Sequence, residues 1–341
     1  MRPSLFWLVG ARILAALPVL AGVIIVTFVL TRMLPGDPAA YFAGPSDNYR
    51  AIEETRAALG LDQPLPVQFW KYIHGLARGD LGRSFSTGRD VTGEILDRLP
   101  ASLELVLAAM FLGTAIAIPL GVLAAVRQNG LADQCVRVLT TAGISLPAFF
   151  SGLMLIFLFY YLLEWAPSPI GRLDSYSEPP PRTTGFFLID AALAGDWETW
   201  RAALGQMVLP SISLALVTLA PIARMTRGAM LAALSSDFVR TARAAGISGQ
   251  RVLWRYAFPN AILPVLTTLG MVFSYSLGGA VLIEKVFAWP GIGSFALDAL
   301  MMLDYAPVQG FVLTLGVLYV LLNLCVDIAL VLVDPRIRLA G

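Results

Sequence analysis

The chain is predicted to be an all-α membrane protein with six transmembrane helices and a small extracytoplasmic cap between the first two. Three observations lead there. It is 57% hydrophobic and only 14% charged, whereas a soluble domain averages about 45–50% apolar and about 25% charged. Its mean hydropathy is +0.73. The apolar residues gather into runs near the roughly 20 residues a helix needs to cross hydrocarbon. One membrane domain suits 341 residues patterned this way better than two soluble ones.

The spans follow in chain order. Span 1 is expected over Ile13–Thr31, behind Arg2 and Arg12. It is longer than the roughly 7–15 residues of a signal-peptide core and is read as an uncleaved signal-anchor, residues 1–34. Span 2 is expected over Ala101–Val126, span 3 over Val136–Leu163 with a kink at Pro147, and span 4, a short one, over Met207–Ile222. Spans 5 and 6 complete the set over Ala261–Ile283 and Val308–Val333. The transmembrane core is thus 101–341.

Charge sets the orientation. Between spans 4 and 5 stand Arg224, Arg227, Arg240, Arg243, Arg251 and Arg255 against the single acid Asp237. Between spans 3 and 4, Glu164, Asp174, Glu178, Asp190, Asp196 and Glu198 outnumber Arg172, Arg182 and Arg201. Arginine-rich short loops stay cytoplasmic, so both termini are expected inside an inner membrane. Arg336 and Arg338 in the tail agree with that side. The long first outer segment, residues 35–100, has a helical stretch from Asn48 to Leu59 and an aromatic one at Phe69, Trp70 and Tyr72, and is read as a folded cap. Pro179-Pro180-Pro181 argues against helix in the second outer segment.

Composition also excludes chemistry. Cys325 lies in a predicted span and Cys135 at the edge of one, so neither a disulfide framework nor a CxxC metal site is expected. His74 is the chain's one histidine and is read as a solvated loop residue. No catalytic residue and no metal site are assigned. No GxxxxGK[ST] phosphate loop is present, so ATP cannot bind by that route.

The most informative stretch is Asp237–Pro264, within a predicted cytoplasmic loop of about 224–260. It reads as helix, break, helix. Ala242, Ala244 and Ala245 favour helix, Gly246 can end it in the left-handed region, and Ser248 suits the N-cap of the next. Val252, Leu253 and Tyr256 leave Arg251 and Arg255 on another face. Such a lever could dock in a groove of a soluble partner. An interfacial helix laid on anionic lipid explains the same pattern.

Here the sequence resembles a family. Arg240-Thr241-Ala242, Gly246 and Pro259 fall at the positions of the Glu-Ala-Ala, Gly and Pro of the coupling loop in ATP-binding-cassette importer permeases. Arg240 departs from the glutamate and Thr241 from the first alanine. Val239 to Ala244 and Asn260-Ala261-Ile262-Leu263-Pro264 resemble the dipeptide and oligopeptide branch, where that replacement is common. Leu34-Pro35-Gly36-Asp37-Pro38, Gly60 to Pro64, Gly79 to Ser84, Ser145 to Phe149, Glu284 to Gly293 and Asp334 to Arg338 follow the same family in order. Asp304-Tyr305-Ala306 departs from its usual Asp-Tyr-Pro.

The resemblance implies a type I-like importer transmembrane domain forming half of a pathway for di- or oligopeptides. It implies a second homologous permease, two cytoplasmic ATP-binding subunits carrying ATP and Mg, and an extracytoplasmic solute-binding protein, with no nucleic acid. Arg240, Thr241, Ala242, Gly246, Arg251 and Pro259 would couple to the ATPases. Family members also import nickel, glutathione and other small solutes. An ion-coupled secondary transporter is the rival from another class, and no mid-span cluster of acids speaks for it.

Four other sets complete the reading. Glu284, Trp289, Pro290 and Gly291 are candidates for a gate at the outer pore mouth, with an aromatic-belt anchor as the alternative for Trp289. Glu104 and Glu284 are expected to snorkel to water from the outer ends of their spans. Asp327 is expected to pair with an arginine, Arg338 or one from another span. Gly113, Ala117 and Gly121, like Gly278 and Gly279, are expected to permit close helix contact.

Overall fold

A computed structural model describes residues 5–33, 37–43, 49–58, 60–174 and 176–333. Helix α1 spans Leu5–Met33, and three short helices of the first outer segment follow: α2 (Pro38–Ala43), α3 (Tyr49–Ala58) and α4 (Leu65–Leu76). Phe69 and Tyr72 on α4 pack their rings 5.0 and 6.0 Å from that of Phe28, which fastens the segment to the end of α1. His74 stands on α4, exposed, rather than in a loop. Arg2, Leu34-Pro35-Gly36 and the tail from Asp334, with Arg336 and Arg338, lie outside the described residues.

Helix α5 (Val91–Val126) carries span 2. It begins ten residues before the expected edge at Ala101, because Asp90 caps it by accepting a 2.8 Å hydrogen bond from Gly93 N and Pro100 is carried inside the helix. Span 3 is broken as Pro147 requires. Helices α6 (Leu131–Ser145) and α7 (Ala148–Leu155, continued by a π-helical stretch to Leu162) meet at 98°. Leu146, the residue before the proline, is extended (φ −98°, ψ 130°). Pro179-Pro180-Pro181 is non-helical, and a short α8 (Phe187–Ala194) closes the second outer segment.

Helix α9 (Trp197–Leu234) is 38 residues long, far beyond the expected Met207–Ile222. An apolar-run criterion stops at charges, but the backbone does not. Arg224 and Arg227 therefore belong to a helix and not to a loop. Helix α10 (Asp237–Ala244) follows. Helix α11 (Gly249–Arg251) runs through a π-helical turn into α12 (Phe258–Val286), so span 5 is continuous from Gly249. Helix α13 (Ile292–Met301) and α14 (Tyr305–Val333) end the described chain. Among the described residues five helices are long and apolar enough to span a membrane, and the α6–α7 pair, counted as one broken span, is a sixth.

Helices α5, α9 and α12 form the centre, with α5 on α9 the most extensive pair. Leu214, Ile222, Val265 and Ala280 are buried between them. Gly121 lets the helices close: a Cβ there would lie 2.6 Å from Thr226 Cβ and 2.7 Å from the Ala223 carbonyl oxygen. Gly113 faces Thr218 as tightly. Gly278 meets nothing within 4 Å and Gly279 only Leu214 at 4.0 Å, so the expected close contact there is not made within this chain. Helices α1 and α14 pack on each other at the edge, joined by the Arg12–Asp327 pair at 3.0 Å. Asp327 thus pairs with an arginine of another span, one of the two expected partners.

Candidate functional site

The first candidate region is the helix–break–helix segment. Gly246 has φ +77°, in the left-handed region. Its N–H donates to Arg243 O at 3.0 Å, and Ile247 N–H donates back to Ala242 O at 3.2 Å. These paired bonds satisfy carbonyls that the end of α10 would leave bare. Ser248 occupies the N-cap position of α11 without making a side-chain cap bond.

The segment has two faces. Val239, Ala242, Val252, Ala257 and Ala261 are buried in one cluster with Val122 of α5 and Met230 of α9. Arg240, Thr241, Gly246, Arg251 and Pro259 are exposed. Arg240 bridges to Asp237, and Thr241 Oγ1 donates to Asp237 O at 3.0 Å. Of the residues proposed for coupling, only Ala242 is a seat and not a contact surface. An aliphatic underside on the spans and a basic upper face match a lever.

One neighbouring residue pair was not anticipated. Arg227 Nε donates to Asp133 Oδ1 at 2.6 Å and Nη2 to Asp133 Oδ2 at 2.8 Å, with Asp133 fully buried. This fork ties the start of α6 to α9 ten residues before α10. Opposite charges at adjacent span ends were its available signal.

The second region lies where α12 meets α13, and there the four gate candidates come together around a closed socket. Glu284 is 1% exposed. Ser102 Oγ donates to its Oε1 at 2.5 Å, and Ser294 N to its Oε2 at 2.8 Å. Ser102 Oγ accepts in turn from Ile292 N at 2.9 Å. A Cβ on Gly291 would land on the Glu284 carboxyl group, so glycine is needed there for close approach. Trp289 is 2% exposed and donates Nε1–H to Ala101 O at 2.8 Å. Pro290 alone of the four is exposed.

Two expectations fail here. Glu284 does not snorkel, because Ser102 and the start of α13 provide the partners that water would have supplied. Trp289 is no aromatic-belt anchor, because its ring fills a pocket among Ala101, Leu105 and Ile283. Glu104 does not snorkel either. It is 7% exposed and receives Arg172 Nη2 at 2.5 Å and Leu188 N at 2.9 Å. The Arg172 guanidinium also lies over the Phe187 ring, at 3.4 Å. The partner comes from 68 residues along the chain, and no local pattern announces it.

The second outer segment is tightened around Asp190. Burial would raise the pKa of this carboxyl group. Hydrogen bonds from Thr184 Oγ1 and from the amides of Thr184, Gly185 and Thr183 outweigh burial and hold it below the usual carboxylate range. Asp304, just before α14, is fully buried and accepts from Ser84 Oγ at 2.8 Å and Ser86 N at 3.0 Å of the first segment. Asp304 thus ties the first segment to the start of α14, and Glu104 ties the second to α5. Among the described residues no group of three metal-ligating side chains occurs.

A helix–break–helix segment seated on three spans, and a buried polar socket joining the ends of α5, α12 and α13, suit a membrane transport protein. Comparison with known proteins agrees. Residues 117–339 match the family model described as "Binding-protein-dependent transport system inner membrane component". Residues 5–106 match its N-terminal companion. The "Probable D,D-dipeptide transport system permease protein DdpB" of Escherichia coli is 45% identical over 98% of this chain and 99% of its own. The "Di/tripeptide transport system permease protein DppB" of Pseudomonas aeruginosa is 42% identical over 97% and 98%, respectively. The E. coli "Dipeptide transport system permease protein DppB" is 40% identical over 96% and 97%. With both models matched and such relatives nearly full length, the chain belongs to the inner-membrane components of binding-protein-dependent transport systems.

Proposed function

We propose that this chain is a permease subunit of an ATP-driven importer, forming half of the path for di- or oligopeptides. The observation that carries the reading is the break at Gly246. It stands between the small amphipathic α10 and a helix that runs unbroken into span 5. A push on the exposed side of the segment reaches α12 directly and reaches α5 and α9 through the Val239–Ala242–Val252 cluster. Coupling of this kind needs one element that both sites bias.

The other parts of the machine follow from that role. ATP and Mg belong to two cytoplasmic ATPase subunits that press on Arg240, Thr241, Gly246, Arg251 and Pro259. This chain is non-catalytic. A second homologous permease completes the path, and an extracytoplasmic binding protein delivers the solute. Both termini are cytoplasmic, in keeping with the arginines of the lever. Peptides are favoured as the solute because the relatives are named for dipeptides and tripeptides.

The test is Gly246→Val in the intact complex. A β-branched residue forced into the left-handed region costs at least about 1–2 kcal/mol. The Cβ itself meets open space, so insertion and span packing should survive. The expected result is normal recovery of the permeases, ATPase activity no longer stimulated by peptide-loaded binding protein, and uptake of labelled dipeptide reduced about tenfold or more. Wild-type uptake by the variant would sink the lever. Competition by nickel or glutathione but not by dipeptide would move the solute to another member of the family. Uptake abolished by a proton uncoupler at constant ATP would favour the ion-coupled transporter.

A further inference from the structure

A polar cavity of about 290 Å³ opens between the end of α1, α4, the Asp80–Phe85 loop and the start of α14. That is at the small end of ligand pockets, roughly 300–1,000 Å³. Three cations line it: Arg32, Lys71 and Arg83. Among the described residues none of the three has a carboxylate within 4.0 Å. Asp80, an acid in the lining, is engaged by its own loop, accepting from Gly82 N at 2.8 Å.

Arg32 is held in place rather than neutralised. Its Nε and Nη2 each donate to Gln68 Oε1 at 3.3 Å, and its guanidinium lies 4.5 Å from the centre of the Phe28 ring and 5.4 Å from that of Tyr305. Tyr72, also in the lining, has a buried hydroxyl with no hydrogen-bond partner. Burial pushes that hydroxyl up to about 12, so it stays a donor. Three cations with no ion pair among the described residues thus line one space against a single acid, beside a tyrosine hydroxyl that lacks an acceptor.

We propose that this cavity binds a phosphate oxyanion at the outer membrane–water interface, either the phosphodiester of a lipid headgroup or a soluble phosphate. Its height in the membrane supports the choice. Arg32 is in the last turn of span 1, which ends at Met33, and span 6 begins at Tyr305, so the cavity sits where headgroup phosphates lie. Interfacial arginine and lysine attract such groups. The bound anion would join the cap to spans 1 and 6 at the edge of the chain. The proposal rests on the bilayer placement of these spans and not on the peptide reading.

The test is native mass spectrometry of the purified, delipidated complex, titrated with phosphatidylglycerol in one arm and inorganic phosphate in the other. Lys71 and Arg83 are exposed, so the Lys71→Gln/Arg83→Gln variant keeps its fold. The wild type is expected to hold one phosphatidylglycerol that this variant binds about tenfold or more weakly. Retention of that lipid against millimolar inorganic phosphate makes the source a headgroup. Displacement by phosphate, with phosphate binding lost in the variant, makes the source soluble and upholds the site. A Tyr72→Phe variant, which removes only the hydroxyl, is expected to weaken binding in the same arm. Equal binding by wild type and both variants overturns the proposal. So does protection of Lys71 from acetylation that appears only with the binding protein, since an acidic protein side chain would then fill the cavity. Binding is read without uptake, so a failed peptide reading leaves this result standing.

Discussion

Single buried carboxyl groups hold the segments between the spans in place, Glu104, Glu284 and Asp304 with partners from distant parts of the chain and Asp190 with its own loop. Glu284 is the clearest case, because Ser102 both donates to it and accepts from Ile292 N. Ser102→Ala would leave two buried groups short of a partner, at a cost of about 1–3 kcal/mol. A lower melting temperature in detergent, by a few degrees, is the expected outcome, and an unchanged value would remove the socket as a source of stability. Asp190 makes a pH prediction. Its folded pKa lies below the ordinary value, so its contribution is complete above the unfolded pKa and is lost as pH falls through the folded one. Hydrogen-exchange protection of the Thr184 and Gly185 amides, corrected for intrinsic rate, should persist from neutral pH through the ordinary carboxylate range and fail only below it. Asp190→Ala should lack that protection throughout. At this scale the sequence was a poor guide: Glu104 and Glu284 looked like snorkelling groups because Arg172 and Ser102 are far from them in the chain.

Among the helices, the centre depends on how closely α5 and α9 approach. Gly121→Leu would drive a side chain into Thr226 and the Ala223 carbonyl, costing about 1–3 kcal/mol or more. Gly278→Ala meets open space and should leave the chain's folding unchanged. Folded yield after membrane extraction distinguishes the pair, and equal yields would show that α5 and α9 separate without penalty. Glycine spacing made the α5 contact legible and made α12 look the same, since spacing does not reveal which face a neighbour covers. The Pro147 break and the left-handed Gly246 were legible for a different reason: proline and glycine act on their own backbone. Helix length was not. The Asp133–Arg227 fork and the Asp90 cap let α9 and α5 continue past charges and Pro100 that looked like ends.

For the molecule as a whole, α1 and α14 stand at the edge with their apolar faces uncovered. Only 17% of the most apolar window of α1 and 6% of that of α14 is buried within the chain, as expected of helices facing lipid or a second permease. Both termini should be cytoplasmic, so a phosphatase fused after Gly341 should be inactive and a fluorescent protein there bright. The opposite pair of results would invert the membrane topology and detach the lever from any cytoplasmic ATPase. The helical class, the apolar spans, the break at Pro147 and the helix–break–helix geometry at Gly246 could all be read from the chain alone. Hydrocarbon demands long apolar runs whatever surrounds them, and proline and glycine impose local geometry. The closed socket at Glu284, the Glu104–Arg172 and Asp133–Arg227 pairs, and the cavity at Arg32 exist only once the helices are packed. Each joins groups separated by tens to hundreds of residues, and the burial that makes such contacts matter is a property of the assembled fold.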